Sequence, residues 1–213
     1  MTKTKICGIT RLEDALAACN AGADALGFNF SKNSLRCTTP ENAAAIIAEL
    51  PPFIACTGIF VEHSPAEINT ICKACRLQTA QLHSENYTAE SVRSIEQVRI
   101  IRVFRPQERF DTEQVRAFAR ESGVNCFLFD AYRPEMDGGT GERIENRLAS
   151  RIFDELQGIG YGILAGGLNP ENVAEAVRQI NPWAVDTASG VETSPGIKCP
   201  EKIRAFISAV KQT

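Results

Sequence analysis

The residues best suited to chemistry are a cysteine and an aspartate that each end a short apolar run. Cys7 closes the run in KICGIT, and Asp130 closes the run in CFLFD. Gly8 breaks the first run, and Thr10 is placed to cap the helix that follows. A thiol at a strand-to-helix turn is accessible, and a carboxylate there must be solvated, paired or used. The two residues indicate proton transfer at two points of one substrate, although Cys7 taken alone also fits a core position.

Two glycine-containing loops follow the last two predicted strands. LAGGLNPENV contains Gly166 and Gly167, and DTASGVETSPG contains Ser189 and Gly190. Backbone N–H groups in such loops converge on anions, and the loops after strands seven and eight are the usual phosphate site of a (β/α)8 barrel. They predict a phosphorylated small-molecule substrate. Tight turns that need a positive φ are the alternative explanation for the glycines.

Four further side chains lie at or near predicted strand ends. Arg36, in the loop FSKNSLRCTTP, would hold a substrate carboxylate if it faces the mouth, and is a surface residue otherwise. His83 follows TAQL, where a hydrogen-bonded core position is favoured over a role as base or ligand. Lys5 points to the same side of its strand as Cys7 and is expected to favour the thiolate. Asp186 and His83 are the next candidates for a base if Cys7 is not one.

A different glycine-rich segment follows Asp130. DAYRPEMDGGTGERI contains Gly138, Gly139 and Gly141 but lacks the G-K-[ST] ending of a nucleotide P-loop. We interpret this segment as a lid over the site. A surface connection without function is the alternative.

Apolar segments that are too short for helices alternate with segments of helical periodicity along the chain. The predicted strands are TKI, ADALGF, IACTGIF, TAQLH, IIRVF, CFLFD, YGILAG and WAVDT. The predicted helices cover residues 11–20, 40–50, 65–75, 88–95, 112–122, 144–156, 170–179 and 200–210. Three helix starts, Thr39-Pro40, Ser64-Pro65 and Asn169-Pro170, place a capping residue before a proline at the first helical position.

This alternation predicts an α/β fold, namely a single (β/α)8 TIM-barrel domain over residues 1–213. Each strand–helix unit has about 27 residues, at the lean end for this fold, and the active site is expected at the carboxyl ends of the strands. An open doubly wound sheet is less favoured, because the first strand–helix turn, CGITRLED, lacks the G-x-G-x-x-G fingerprint of dinucleotide binding.

Charge and hydropathy exclude several classes of partner. The chain has 23 Lys and Arg against 26 Asp and Glu, with a pI near 5.6, so neither nucleic acid nor an anionic membrane is an expected partner. No apolar run approaches the ~20 residues that span a bilayer, and the start MTKTKICGIT does not look like a signal peptide. We expect a soluble, cytoplasmic protein.

The cysteines are expected to be reduced thiols rather than disulfides or metal ligands. The chain has eight of them but only two histidines, and its only close pair, Cys72 and Cys75 in CKAC, falls in a predicted helix without a second C-x-x-C. Both are interpreted as ordinary helix thiols. We expect no metal site.

Taken together, the segments KICGIT, ADALGFNFSKNSLR, GIFV, QLH, FDA with GGTGE, LAGGLNPENV and SGVETSPGIK resemble the phosphoribosylanthranilate isomerase family over nearly the whole chain. The resemblance implies a (β/α)8 barrel that carries out an Amadori rearrangement in tryptophan biosynthesis without cofactor or metal. It implies that Cys7 is the general base, that Asp130 is the general acid and that Arg36 contacts the anthranilate carboxylate. It also implies that the glycines of AGG and SG bind phosphate.

Two alternatives stay open at the level of sequence. Another phosphate-binding barrel isomerase or epimerase would share the last two loops but would need a metal site or a second carboxylate in place of Cys7. A non-catalytic protein that binds a phosphometabolite would make no demand on Cys7 or Asp130. The sequence does not distinguish a monomer from a homodimer.

Overall fold

The computed structural model describes residues 1–130 and 141–213, with the backbone alone for 141–146. Within these residues eight parallel strands alternate with helices. The strands are β1 (Lys3–Cys7), β2 (Ala25–Asn29), β3 (Ala55–Phe60), β4 (Thr79–Leu82), β5 (Arg99–Phe104), β6 (Cys126–Asp130), β7 (Tyr161–Ala165) and β8 (Ala184–Thr187). The helices are α1 (Leu12–Ala21), α2 (Pro40–Ala48), α3 (Pro65–Cys75), α4 (Ala89–Val92), α5 (Glu113–Ser122), α6 (Gly141–Glu155), α7 (Val173–Ile180) and α8 (Pro200–Lys211).

The eight strands close into a barrel in sequence order, because β1 pairs in parallel with both β2 and β8. The predicted TIM barrel is therefore confirmed. A short antiparallel hairpin, β9 (Glu192–Ser194) and β10 (Ile197–Lys198), follows β8 and was not predicted. A 3-10 helix, Ser189–Val191, leads into this hairpin.

Alternation along each strand divides the buried residues into two layers. Side chains such as Ile6 pack outward against the helices in the larger apolar core. A separate cluster fills the barrel interior; its members are Ile101, Val103, Leu128, Ile163, Ala165 and Ala184. Lys5 and Cys7 flank Ile6 in sequence, so they point away from the helix layer and toward the barrel axis. This alternation places the ionisable side chains of Lys5 and Cys7 inside the barrel, near the carboxyl end of β1.

Local capping explains where two of the helices begin. Thr39 accepts a hydrogen bond from the backbone of Asn42, and Ser64 forms a reciprocal capping box with Glu67. Each cap precedes a proline in the first turn, as predicted.

The predicted cap at Asn169-Pro170 is wrong. The side chains of Asn169 and Asn172 each accept a hydrogen bond from the other's backbone N–H, and α7 begins only at Val173. These side chains satisfy the backbone locally and therefore delay the helix.

The predicted cap at Thr10 is also wrong. Arg11 occupies the position before α1 and makes no side-chain cap, while the Thr10 hydroxyl donates to the carbonyl of Gly196 at 2.6 Å. Thr10 therefore ties the first strand–helix loop to the hairpin of β9 and β10.

All eight cysteines lie in the described residues and are free thiols, as expected. Cys72 and Cys75 are buried on α3. In the described part of the chain, no helix has the length and hydropathy of a membrane span.

Candidate active site

The carboxyl ends of the strands surround a cavity of about 310 Å³. All but one of the residues predicted for the site line it; these are Cys7, Arg36, Asp130, Gly166, Gly167 and Ser189. His83 and Asp186 also line it. The tertiary structure thus brings together side chains that lie up to 182 residues apart between Cys7 and Ser189.

Cys7 ends β1 and lines the cavity, next to Gly27 of β2, which has no side chain. A Cβ on Gly27 of the neighbouring strand would lie 2.8 Å from the Cys7 sulfur and 3.1 Å from Lys5 Nζ. Glycine is therefore required at this position for the thiol and the ammonium group to occupy the same side of the barrel.

Lys5 is a buried cation paired with a buried carboxylate. It is 4% exposed, and its Nζ donates to Asp186 Oδ1 at 2.7 Å. The parallel register of β1 and β8 sets Lys5 opposite Asp186, so the pair follows directly from barrel closure.

The electrostatic effect of Lys5 on Cys7 has the expected sign but is not the dominant one. Burial raises the pKa of the Cys7 thiol, and the negative charge of Asp186 raises it further. The positive charges of Lys5 and Lys198 lower the same pKa without cancelling the effect of burial. Lys5 therefore favours the thiolate, as expected, but the pKa of Cys7 still lies above its ordinary value.

Asp130 ends β6, which is separated from β1 by the two strands β7 and β8. Its carboxylate is partly exposed and lies 3.9 Å from Nε of Arg105. Arg105 is held in turn by His83, through the His83 carbonyl at 3.3 Å and the ring Nδ1 at 3.1 Å. Arg105 thus places a positive charge within 4 Å of the Asp130 carboxylate.

His83 is neutral and hydrogen-bonded, as the sequence favoured, but it is half-buried in the cavity wall rather than in the core. Because Arg105 only donates, the Nδ1 of His83 accepts and its Nε2 carries the ring proton. Nε2 of His83 lies 2.7 Å from Nε2 of Gln81, while the Gln81 amide oxygen is buried without a hydrogen-bond partner among the described residues. Exchanging the nitrogen and oxygen of this amide by a 180° rotation would let the oxygen accept the ring proton. Burial, followed by the charges of Arg105, Lys5 and Arg102, lowers the pKa of His83 to about 3. The ring therefore does not gain a proton near neutral pH.

The two glycine loops adopt conformations that demand glycine. Gly166 and Gly167 have φ values of 100° and 60°. A Cβ on Gly190 would lie 1.9 Å from the carbonyl oxygen of Leu168, which accepts a hydrogen bond from Thr187. The loops after β7 and β8 are therefore packed backbone to backbone at one side of the mouth, an arrangement suited to an anion.

Arg36 reaches the cavity from the loop after β2 and is bound by a carboxylate that sequence reasoning did not identify. Its Nε and Nη2 donate to the two oxygens of Glu192 at 2.8 and 2.7 Å. Gly8 makes room for it, since a Cβ there would lie 2.6 Å from Arg36 Cδ. Lys198 Nζ donates to the same carboxylate at 2.7 Å.

Glu192 and Lys198 both stand in the segment SGVETSPGIK, but the spacing alone carried no signal for their role. They pair across the hairpin of β9 and β10, which was not predicted. Burial raises the pKa of Glu192, yet the hydrogen bonds and charges of Arg36 and Lys198 outweigh it, so this pKa lies below its ordinary value. The carboxylate is ionised and shared by two cations.

The segment interpreted as a lid lies largely outside the described residues, which omit 131–140. Among the residues that are described, no group of three or more His, Cys, Asp and Glu side chains could hold a metal ion.

Comparisons with known proteins agree with the resemblance of the motifs. The family described as N-(5'phosphoribosyl)anthranilate (PRA) isomerase matches residues 4–209. An N-(5'-phosphoribosyl)anthranilate isomerase of Pelodictyon phaeoclathratiforme is 63% identical over 213 residues, covering 100% of this chain and 99% of the relative.

Solved structures of the same name are similar over the whole chain. The crystal structure of phosphoribosyl anthranilate isomerase from Thermotoga maritima has a TM-score of 0.85 and 37% identity, with 100% of both chains covered. A crystal structure of phosphoribosyl anthranilate isomerase in complex with reduced 1-(o-carboxyphenylamino)-1-deoxyribulose 5-phosphate has a TM-score of 0.83 and 36% identity, again with 100% of both chains covered.

Proposed function

Because this chain belongs to the N-(5'-phosphoribosyl)anthranilate isomerase family, we propose that Cys7 is the general base and Asp130 the general acid of its reaction. The chain is an isomerase of tryptophan biosynthesis. It converts N-(5-phosphoribosyl)anthranilate to 1-(2-carboxyphenylamino)-1-deoxyribulose 5-phosphate. The alternatives of another barrel isomerase or a non-catalytic binding protein are not favoured by the family match.

The observation that carries the residue assignments is the order of groups around one cavity. The glycine loops after β7 and β8 line one side of the cavity, and Arg36 enters from the loop after β2. Cys7 and Asp130 line the same cavity at the ends of β1 and β6. A substrate with a phosphate at one end and a carboxylate at the other has complementary charge to this arrangement. Gly166, Gly167, Ser189 and Gly190 would bind the phosphate, and Arg36 the anthranilate carboxylate.

In the first step Asp130 donates a proton to the furanose ring oxygen. The C1'–O4' bond breaks, its electron pair remains on O4', and the anthranilate nitrogen forms a double bond to C1'. The product is an open-chain protonated Schiff base, and Asp130 is left as a carboxylate. Arg105, 3.9 Å from that carboxylate, stabilises the charge that Asp130 acquires.

In the second step Cys7, as thiolate, removes the proton from C2'. The C2'–H electron pair forms the C1'=C2' bond, and the electrons of the C=N bond return to nitrogen. The resulting enolamine becomes the ketose when the C2' hydroxyl loses its proton and C1' gains one. The positive charge of the Schiff base adds to those of Lys5 and Lys198, so it opposes the effect of burial on the Cys7 thiol in the step that needs the thiolate.

The test is turnover followed by the loss of anthranilate fluorescence. We expect Cys7→Ala and Asp130→Asn each to lower kcat by about 10²–10⁴, the usual contribution of a positioned acid or base, with little change in Tm. Cys19→Ala and Asp154→Asn are matched controls on α1 and α6 and should turn over normally. Near-normal turnover of Cys7→Ala would make the thiol a packing residue and move the base to Asp186 or His83.

A further inference from the structure

The guanidinium of Arg36 has one edge occupied by a buried carboxylate and one edge left for a ligand. We propose that Glu192, itself held by Lys198, is a positioning residue that aims the free edge of Arg36 at the carboxylate of the substrate. The inference rests on the proposed role of Arg36. It adds a residue that does not touch the substrate but acts through one that does.

The geometry follows from counting the donors of an arginine. A guanidinium has five N–H groups and two edges at which a carboxylate can bind with two hydrogen bonds. Glu192 takes the edge formed by Nε and Nη2, at 2.8 and 2.7 Å. The edge formed by Nη1 and the second Nη2 hydrogen remains. One arginine can therefore hold Glu192 and a substrate carboxylate in the same plane.

Lys198 keeps this arrangement attractive to an anion. Arg36 and Glu192 alone would form a neutral pair with little attraction for a second carboxylate. The side chain of Lys198 is completely buried and adds a positive charge 2.7 Å from Glu192. The three side chains together carry one net positive charge, which the substrate carboxylate neutralises.

The hairpin that carries Glu192 and Lys198 is fixed from several sides. The Lys198 backbone N–H donates to Asp14 at 3.0 Å, and the Gly196 N–H donates to Glu192 at 3.2 Å. Lys202 donates to the Glu192 carbonyl at 2.9 Å. Glu192 is 7% exposed, so it has little freedom to move. A rigid carboxylate of this kind is what an accurately placed guanidinium requires.

The experiment compares two ligands that differ only in the carboxylate. The first is reduced 1-(o-carboxyphenylamino)-1-deoxyribulose 5-phosphate, and the second is the same compound without the ring carboxylate. Dissociation constants are measured by calorimetry for the unchanged protein, Glu192→Gln, Arg36→Met and the double variant. Glu175→Gln, an exposed glutamate on α7, is the control and should bind both ligands as the unchanged protein does.

We expect Glu192→Gln to weaken binding of the carboxylate-bearing ligand about tenfold, because Arg36 is no longer held in position for its charge-assisted contact. The affinity for the second ligand should be almost unchanged. In the Arg36→Met background the same substitution should have no further effect, since the two residues act through one contact. A purely electrostatic role predicts the opposite sign, because removing the negative charge of Glu192 would make the carboxylate ligand bind more tightly.

Tighter binding, an equal loss for both ligands, or an additive loss in the double variant would each overturn the inference. If Arg36→Met itself does not distinguish the ligands, the proposed carboxylate contact is wrong and the positioning role falls with it. If Glu192→Gln fails to fold, Glu192→Asp keeps the charge beside Lys198 but is too short to span both donors of Arg36. Glu192→Asp should likewise weaken binding of the carboxylate-bearing ligand more than binding of the second ligand. An Asp variant that weakens neither, or both equally, would also overturn the proposal.

Discussion

Asp186→Asn should make Cys7 more reactive, because Asp186 and the Cys7 thiolate compete for one cation. Lys5 Nζ is 2.7 Å from Asp186 Oδ1, and both side chains are at least nine-tenths buried. The negative charge of Asp186 raises the pKa of Cys7, and the positive charge of Lys5 lowers it. Asparagine removes the competing charge and keeps an oxygen that can accept from Lys5. The thiolate of Cys7 then becomes the counter-ion of that lysine.

The geometry bounds the size of the effect. The Cys7 sulfur and Lys5 Nζ lie 2.8 and 3.1 Å from one point, the Cβ position on Gly27, and Asp186 Oδ1 lies 2.7 Å beyond Nζ. The sulfur and that oxygen are thus at most about 9 Å apart, where two unit charges repel by about 2 kcal/mol at an effective dielectric constant of about 20. This energy corresponds to roughly 20-fold in thiolate population, so we expect alkylation to accelerate by about an order of magnitude.

The assay is the rate of iodoacetamide modification of Cys7 at pH 7, followed by mass spectrometry of the peptide that contains it. This readout does not depend on turnover, and exposed Cys37 is an internal reference in the same sample. Asp154→Asn, an exposed aspartate on α6, is the matched control and should react at the rate of the unchanged protein. An unchanged or slower rate at Cys7 in Asp186→Asn would refute the electrostatic argument.

Three further outcomes are expected. Dialysis against a chelator should leave full activity, and stoichiometric metal whose removal abolishes turnover and whose return restores it would contradict this. Gly190→Ala should lower Tm and weaken binding of inorganic phosphate, because its Cβ would lie 1.9 Å from the Leu168 carbonyl oxygen, a strain of about 1–3 kcal/mol; phosphate affinity equal to that of the unchanged protein would argue against the proposed phosphate site. Burial raises the pKa of Cys56 to about 12, so its contribution to stability is full below about pH 8.5, the pKa of an unfolded thiol, and is lost as the pH rises toward 12. Urea denaturation at pH 7.5 and 9.5 should therefore show a smaller decrease in the free energy of unfolding for Cys56→Ala than for the unchanged protein. An equal decrease in both proteins would show that Cys56 is not responsible for it.

The barrel was predictable because its signals are local. Each of the eight strands is a short apolar run, and each is followed by a helical pattern, so counting the units was sufficient. Helix boundaries were less accurate where side chains bond to nearby backbone. α4 was predicted over 88–95 but extends only over Ala89–Val92, and α7 begins three residues after Pro170.

The location of a site residue was predictable from the sequence when the residue ends or directly follows a strand. Cys7, Asp130 and His83 end or follow strands, so the fold class placed them at one mouth. The orientation of Arg36 was not predictable, since a loop residue can face either way until its partner is known. That partner, Glu192, lies on a hairpin 156 residues away in sequence.

By itself, the sequence determined the order of strands and helices, the face that carries the chemistry and the two glycine loops suited to an anion. These properties follow from periodicity and from residue types at strand ends. Only the tertiary structure decided the electrostatics of the site. Barrel closure sets Lys5 beside Asp186, and burial then raises the pKa of Cys7 despite two nearby lysines. Such effects depend on distances and desolvation among distant segments, which no local pattern in the chain encodes.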